Sequence, residues 1–241
     1  MDTQYFHYLD GDDYWTDEQK LQIEYDILEN PENKDCVACA HSLSVFHEAD
    51  PEKKEECWGE SIEEGTYTLK KYWKYLYCST DTILFRSKNI PELPFELLED
   101  SFNDNMITFC FLQFGNLYFI NRCMATYRQN DNGIWMGEKE TVGIVRELIL
   151  YDIELKINPC IRSIANKRHM RDFIYVHQNG EKFVNLAPYY EIAKKLNLPT
   201  TQRVLENKRV FVNNYMLDGI IIWLLQKKYW ICAVVQEILK K

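Results

Sequence analysis

Three carboxylates stand within four residues at Asp10-Gly11-Asp12-Asp13, directly after the short apolar run Tyr5-Phe-His-Tyr-Leu9. Like charges this close raise one another's pKa, and a cation relieves them. Oxygen-only ligands on a loop suit a hard divalent ion, Mg2+ or Mn2+, which keeps several waters and shares its remaining positions with substrate phosphates. Asp10, Asp12 and Asp13 are therefore candidate metal ligands. An EF-hand loop is excluded, because the sixth position from Asp10 holds Trp15 rather than glycine and the twelfth holds Leu21 rather than glutamate. The competing reading is an acidic turn opening a helix, since Asp is favoured in turns and first helical turns without any metal.

Cys36-Val-Ala-Cys39 has the spacing of a zinc or redox pair, but no second pair follows, and His41 and His47 do not complete a zinc site without one. CVACAHSLSVF reads as a strand, on which residues three apart face opposite sides, so two small buried residues are the simpler account. The 8 Cys are scattered through apolar stretches without short repeated spacings, which predicts reduced thiols.

The elements that must position these residues follow from pattern. Tyr5 to Leu9 reads as a strand ending in the acidic turn. Thr16 then caps a helix with Gln19 at the capping-box position; Leu21, Ile23, Ile27 and Leu28 form its apolar face, and Asn30-Pro31 ends it. Cys36 to Phe46 is a second strand, Tyr72 to Tyr77 a further strand, and Thr82 to Arg86 a strand or short helix. Asn103 to Gly115 predicts a buried helix of about 12 residues with Asp104 in its first turn. Leu117 to Ile120 and Met124 to Arg128 read as strands, with a polar turn at residues 129–133. The texture changes after Gly137. Residues 138–178 predict two helices separated near Asn158-Pro159, and residues 185–241 further helices broken at Pro199 and near Gly219. The expected organisation is thus an α/β domain over residues 1–137 and a helical extension over residues 138–241.

Composition bounds the function. With 46% hydrophobic residues, 14% aromatics and only 9 Gly and 7 Pro, the chain is an ordinary folded protein rather than a disordered or collagen-like one. A net charge of −9 argues against a general nucleic-acid binder. The acid is concentrated: residues 1–64 hold 19 acidic and 4 basic side chains, whereas residues 65–241 hold 18 acidic and 24 basic. MDTQYFHYLDGDD has neither the basic nor the apolar region of a secretory signal, which points to the cytosol.

YLDGDDYWTDEQKLQ, the later run TDTILFR, the segment FNDNMITFCFLQFGNLYFIN and then YRQNDNGIW resemble, in order and approximate spacing, the second half of a family 2 glycosyltransferase of the GT-A fold. The resemblance spans about Tyr5 to Gly137. It implies that Asp10, Asp12 and the adjacent Asp13 match the DxD motif that holds a divalent cation, Mg2+ or Mn2+, against the diphosphate of a nucleotide sugar. It implies that Asp104, 11 positions before Gly115, deprotonates the acceptor hydroxyl, although Asn103 replaces the usual Glu or Gly before it. Without that role Asp104 is a helix N-terminal carboxylate favoured by the macrodipole. Tyr127-Arg128 and Gly133-Ile-Trp135 match the segment closing the acceptor side. Arg128 there could pair with diphosphate oxygens, as a planar bidentate donor does, or with a surface carboxylate.

The family's opening strand, of the type VSVIIPVYN, and its second acidic turn do not occur in these residues. The expected fold is therefore a partial GT-A, a Rossmann-like mixed sheet lacking its first strands. Its first strand, Tyr5 to Leu9, would lie inside a parallel sheet, and with one edge unpaired the chain is expected to self-associate. The expected activity is metal-dependent, inverting transfer from a nucleotide-diphosphate sugar to a saccharide or lipid-linked acceptor; the alternative is a non-catalytic fragment or interaction module completed by a partner. A glycoside hydrolase has no need of three clustered acids. Gly219 to Leu225 is interrupted by Gln226-Lys-Lys228 and is too short to span a bilayer. Residues 215–241 read as a terminal helix packed on the domain, or as an amphipathic helix in peripheral contact with the inner face of a membrane.

Overall fold

A computed structural model describes residues 3–48, 56–59, 61–98, 104–129, 140–207, 211–212 and 215–216. It divides into two compact units, Met1–Glu138 and Lys139–Lys241. The first carries β1 (Tyr5–His7), β2 (Tyr14–Trp15), α1 (Lys20–Glu29), β3 (Cys36–His47), β4 (Glu56–Trp58), β5 (Gly65–Tyr67), α2 (Leu69–Tyr75), β6 (Ile83–Arg86), α3 (Phe95–Leu98), α4 (Asp104–Phe111) and β7 (Asn116–Gln129). The second carries α5 (Glu140–Ile157), α6 (Arg162–Arg168), α7 (Met170–Asn179), α8 (Ala187–Lys195), α9 (Pro199–Asn207), β8 (Phe211–Val212) and β9 (Tyr215–Met216). The fold class is mixed α/β.

β3 is the spine of the sheet. Its small and β-branched residues are buried from Cys36 to Leu43, as in a strand covered on both faces. The sheet runs β1-β6-β3-β7-β2, with β4 paired to β3 and β5 to β7. β3 and β7 are parallel, whereas β6 is antiparallel to both β1 and β3, so β1, β3 and β7 share one direction with β6 reversed between the first two. The two strands expected at residues 117–120 and 124–128 are one strand, interrupted where His41 pairs with Ile120 but Ser42 with Cys123. Asn121 and Arg122 are the extra, exposed pair, a bulge that read as a gap. α4 supplies Met106, Ile107, Phe109, Cys110 and Phe111 to the core, where Phe85 stands 4.6 Å from Phe111 and 5.2 Å from Phe6, ring centre to ring centre. At Gly115 a Cβ would meet the Asp35 carbonyl oxygen at 2.5 Å, so only glycine lets β7 begin this close to β3.

Several expectations are corrected. Tyr72 to Tyr77 is not a strand: α2 occupies most of it, started by Thr68, whose hydroxyl accepts the Lys71 N–H at 3.3 Å. Its aromatic run suggested β-structure, but Tyr72 and Trp73 are buried from a helix. α1 begins at Lys20 rather than after a Thr16 cap, and the Thr16 N–H instead donates to the Met124 carbonyl at 3.0 Å. Its most buried residues are Lys20, Glu24 and Leu28, while Leu21 is exposed. β1 does not lie inside a parallel sheet: among the described residues it pairs with β6 alone, antiparallel. The thiols are not all reduced, since Cys57 of β4 and Cys123 of β7 form a disulfide across a separation of 66 residues; both strands flank β3, a proximity no local spacing could reveal. Cys36 and Cys39 are buried free thiols.

In the second unit α5 packs against α6, α7 and α9. Asn158 and Pro159 end it, the Asn158 side chain accepting the Cys160 N–H at 3.1 Å. Asp152 of α5 caps α9 from outside, accepting the N–H groups of Thr200 at 3.2 Å and Thr201 at 2.7 Å. Helix was expected throughout residues 185–241, but β8 and β9 pair as antiparallel strands. The expected break at Gly219 and the remainder of the proposed amphipathic helix lie outside the described residues. Among the described residues no helix is long and apolar enough to cross a membrane.

Candidate functional site

The chain leaves β1 at one edge of the sheet and reaches β2 on its far side, so the acidic turn crosses the sheet beyond β1's carboxyl end. The turn closes through the Asp13 N–H, which donates to the Asp10 carbonyl at 3.2 Å. β2 then pairs with the late part of β7, Tyr14 opposite Thr126 and Trp15 opposite Ala125. This register brings Asp13 beside Arg128. The Arg128 backbone N–H donates to Asp13 Oδ1 at 2.8 Å, joining residues 115 apart in sequence. Because β6 runs backwards, its amino end, preceded by buried Asp81, faces the same way as β1's carboxyl end. Carboxyl ends of parallel strands are where α/β sheets commonly bind ligands.

Asp13 is the buried member of the turn, while Asp10 and Asp12 are exposed. Its Oδ2 is buried without a hydrogen-bond partner, and so is Nε of Arg128. Burial pushes the Asp13 carboxyl up to about 6; the Arg128 N–H opposes this, and the charges of Asp81, Asp12 and Asp10 add to it. An orphaned carboxylate oxygen within a field of like charges fits a divalent cation, to which the turn would offer Asp13 and its neighbours. Asp10, Asp12 and Asp13 do not themselves bring three oxygens within 4.8 Å of one another. That leaves positions for phosphate oxygens and water. Asp104 is the first residue of α4, as its place in a first helical turn requires; its side chain, like Asn103 and Gly133-Ile-Trp135, lies outside the described residues.

Behind the turn lies a polar cluster that pattern reading missed. Lys20 and Glu24, one helical turn apart on α1, are buried at 1% and 0% exposure and paired at 2.8 Å. Lys20 Nζ also donates to His7 Nε2 at 2.5 Å and sits 4.7 Å from the centre of the Trp15 ring. His7 Nδ1 faces the Tyr8 carbonyl and His41 Nδ1 the Ser42 carbonyl at 2.6 Å; a carbonyl only accepts, so both rings carry their proton on Nδ1. Burial and then the Lys20 charge lower both imidazoles to about 3. Burial raises Glu24 to about 7 against the opposing pull of Lys20, and burial lowers Lys20 against the pull of Glu24. His41 Nε2 and Glu24 Oε1, 4.0 Å apart, are buried without hydrogen-bond partners. The only sequence signal was the i, i+4 spacing of Lys20 and Glu24, which on most helices marks a solvated face. His41 also lines a pocket of about 190 Å³, together with Ser42, Trp58, Gly59, Tyr77 and Phe119 among others.

No protein-family model matches the sequence, and no curated protein matches it either.

Proposed function

We propose that the chain is a metal-dependent, inverting glycosyltransferase of the GT-A type, or the acceptor-side part of one, that transfers a sugar from a nucleotide-diphosphate sugar to an acceptor hydroxyl. One observation carries the reading: the Arg128 N–H holds Asp13 Oδ1 at 2.8 Å and leaves Oδ2 buried and unpartnered. The acidic turn and Arg128, both given to one diphosphate site by the same family resemblance, are adjacent at this bond. Asp10, Asp12 and Asp13 would hold Mg2+ or Mn2+, which when bound neutralises charge on the departing diphosphate. Arg128 binds diphosphate oxygens beside it. Asp104 takes the proton of the acceptor hydroxyl as general base. The exposed Trp58, with Tyr77 6.5 Å away at the same pocket, offers aromatic faces suited to the apolar face of a saccharide acceptor.

Among the described residues β1 pairs with β6 alone, and this edge favours a second reading, a module that completes its sheet with a partner. Incubation with nucleotide-diphosphate sugars, Mn2+ and a panel of saccharide acceptors separates the two. Transfer that falls about 10²- to 10⁴-fold in Asp104→Asn, with donor affinity unchanged, supports the enzyme. Donor binding by neither chain supports the module, and transfer by Asp104→Asn within a few-fold of wild type removes Asp104 from its role.

A further inference from the structure

The second unit contains the only place among the described residues where three His, Cys, Asp or Glu side chains bring ligand atoms within 4.8 Å of one another: Glu147, His169 and Asp172. His169 stands at the junction of α6 and α7, with Asp172 one turn further along α7. Glu147 and Glu154 reach it from α5, two turns apart and so on one face. The imidazole is fully buried and packs edge-on against Tyr151. Glu147 and Asp172 keep 39% and 17% of their side chains exposed, so the cluster is buried on one side and open to water on the other.

The two ring nitrogens are treated differently. Nε2 lies 3.1 Å from Oε1 of the fully buried Glu154, an ordinary hydrogen bond. Nδ1 lies 3.3 Å from Asp172 Oδ2 and 3.5 Å from Glu147 Oε2. Charge-assisted N–H···O bonds close to about 2.7–2.9 Å, so the hydrogen bond of Nδ1 to Asp172 is a long one and Glu147 stands farther still, as an ion-pair neighbour. Ligands bound at about 2.0–2.2 Å to a tetrahedral ion stand about 3.3–3.6 Å apart, which is the spacing of both. The charge points the same way. Three carboxylates around one imidazolium, with the Arg168 charge acting on Glu147, leave one negative charge in excess; a dication in place of the Nδ1 proton balances it.

We propose that Glu147, His169 Nδ1 and Asp172 form a binding site for a divalent first-row transition ion, with water completing its coordination and Glu154 fixing the imidazole through Nε2. One nitrogen with two carboxylate oxygens suits Zn2+, Mn2+ or Fe2+ better than the all-oxygen preference of Mg2+ or Ca2+. A carboxylate on the far nitrogen of a ligating histidine is the usual outer partner that sets its tautomer. This site is independent of the acidic turn and does not rest on the proposed glycosyl transfer.

Calorimetric titration of the full chain with Zn2+, without nucleotide, tests it. The expected result is one Zn2+ per chain, with Mg2+ at least tenfold weaker. Zn2+ affinity should fall at least tenfold in E147Q/D172N and about 10- to 100-fold in Glu154→Gln, which keeps the acceptor and removes the charge. Cys160→Ser, which touches only the exposed free thiol, should leave it unchanged. NMR of the wild-type imidazole provides a readout that needs no variant to fold: Zn2+ should shift the His169 ring signals and Mn2+ should broaden them. Unperturbed His169 signals at saturating Zn2+, or equal Zn2+ affinity in E147Q/D172N and wild type, would overturn the site.

Discussion

Asp13 holds two oxygens in opposite situations, one fixed by a backbone N–H and the other buried with nothing to accept from. Its folded-state pKa of about 6 lies above the ordinary 3.8 because burial disfavours the charge. The folded state therefore grips the proton more tightly than the unfolded chain. The stability this gives is complete below about pH 3.8 and is lost as pH rises through about 6. Asp13→Asn keeps an acceptor for the Arg128 N–H but cannot ionise. Without added metal, its melting temperature should thus rise relative to wild type between about pH 4 and pH 7, as measured by circular dichroism. A difference that stays flat over that range would mean that Asp13 is not strained by its charge, and would weaken its case as a cation ligand awaiting its partner.

α1 shows how an element can hide its purpose. Its apolar residues Leu21, Ile23, Ile27 and Leu28 suggest an inward stripe, yet Lys20 and Glu24 are buried as deeply as Leu28, with Lys20 against His7 and the Trp15 ring. A buried ion pair usually adds little net stability, but removing one partner strands the other. Lys20→Met should cost about 3 kcal/mol in urea unfolding, the low end for a broken buried pair because Glu24 can then take up a proton. K20M/E24L should recover most of that loss; a single variant costing under about 1 kcal/mol would show that the pair is not coupled. The contrast marks what a sequence can disclose. β3, α4 and the acidic turn were legible because burial on all sides, a glycine stop and clustered carboxylates are local patterns. The His169 cluster, the Cys57–Cys123 disulfide and the Lys20 network were not, because each joins elements far apart in sequence through partners of unremarkable local spacing. α2 was misread because Tyr72 and Trp73 have strand-like composition, while the Thr68 cap that decides the matter lay just upstream.

For the chain as a whole the decisive feature is the outer edge of β1, which among the described residues has no strand beside it. Aromatic residues flank that edge, with Tyr8 and Leu9 exposed, and an open strand edge invites pairing. The acidic first quarter opposes association, but charges on the surface are screened beyond about 8–10 Å at physiological salt. Light scattering coupled to size-exclusion chromatography should therefore show mass rising above 28.9 kDa with concentration. A monomer at all concentrations would mean that the edge is protected by residues flanking it.

Cation and diphosphate binding at the acidic turn is the claim on which the functional reading stands. Mn2+ binding followed by electron paramagnetic resonance, with and without a nucleoside diphosphate, tests it most directly. The E147Q/D172N chain is used so that only the turn is read. The account predicts that Mn2+ and the nucleoside diphosphate each raise the other's affinity for the protein by roughly tenfold or more, and that Asp13→Asn or Asp12→Asn abolishes this coupling. Equal coupling in the Asp13→Asn chain, or none in its unsubstituted parent, would contradict it.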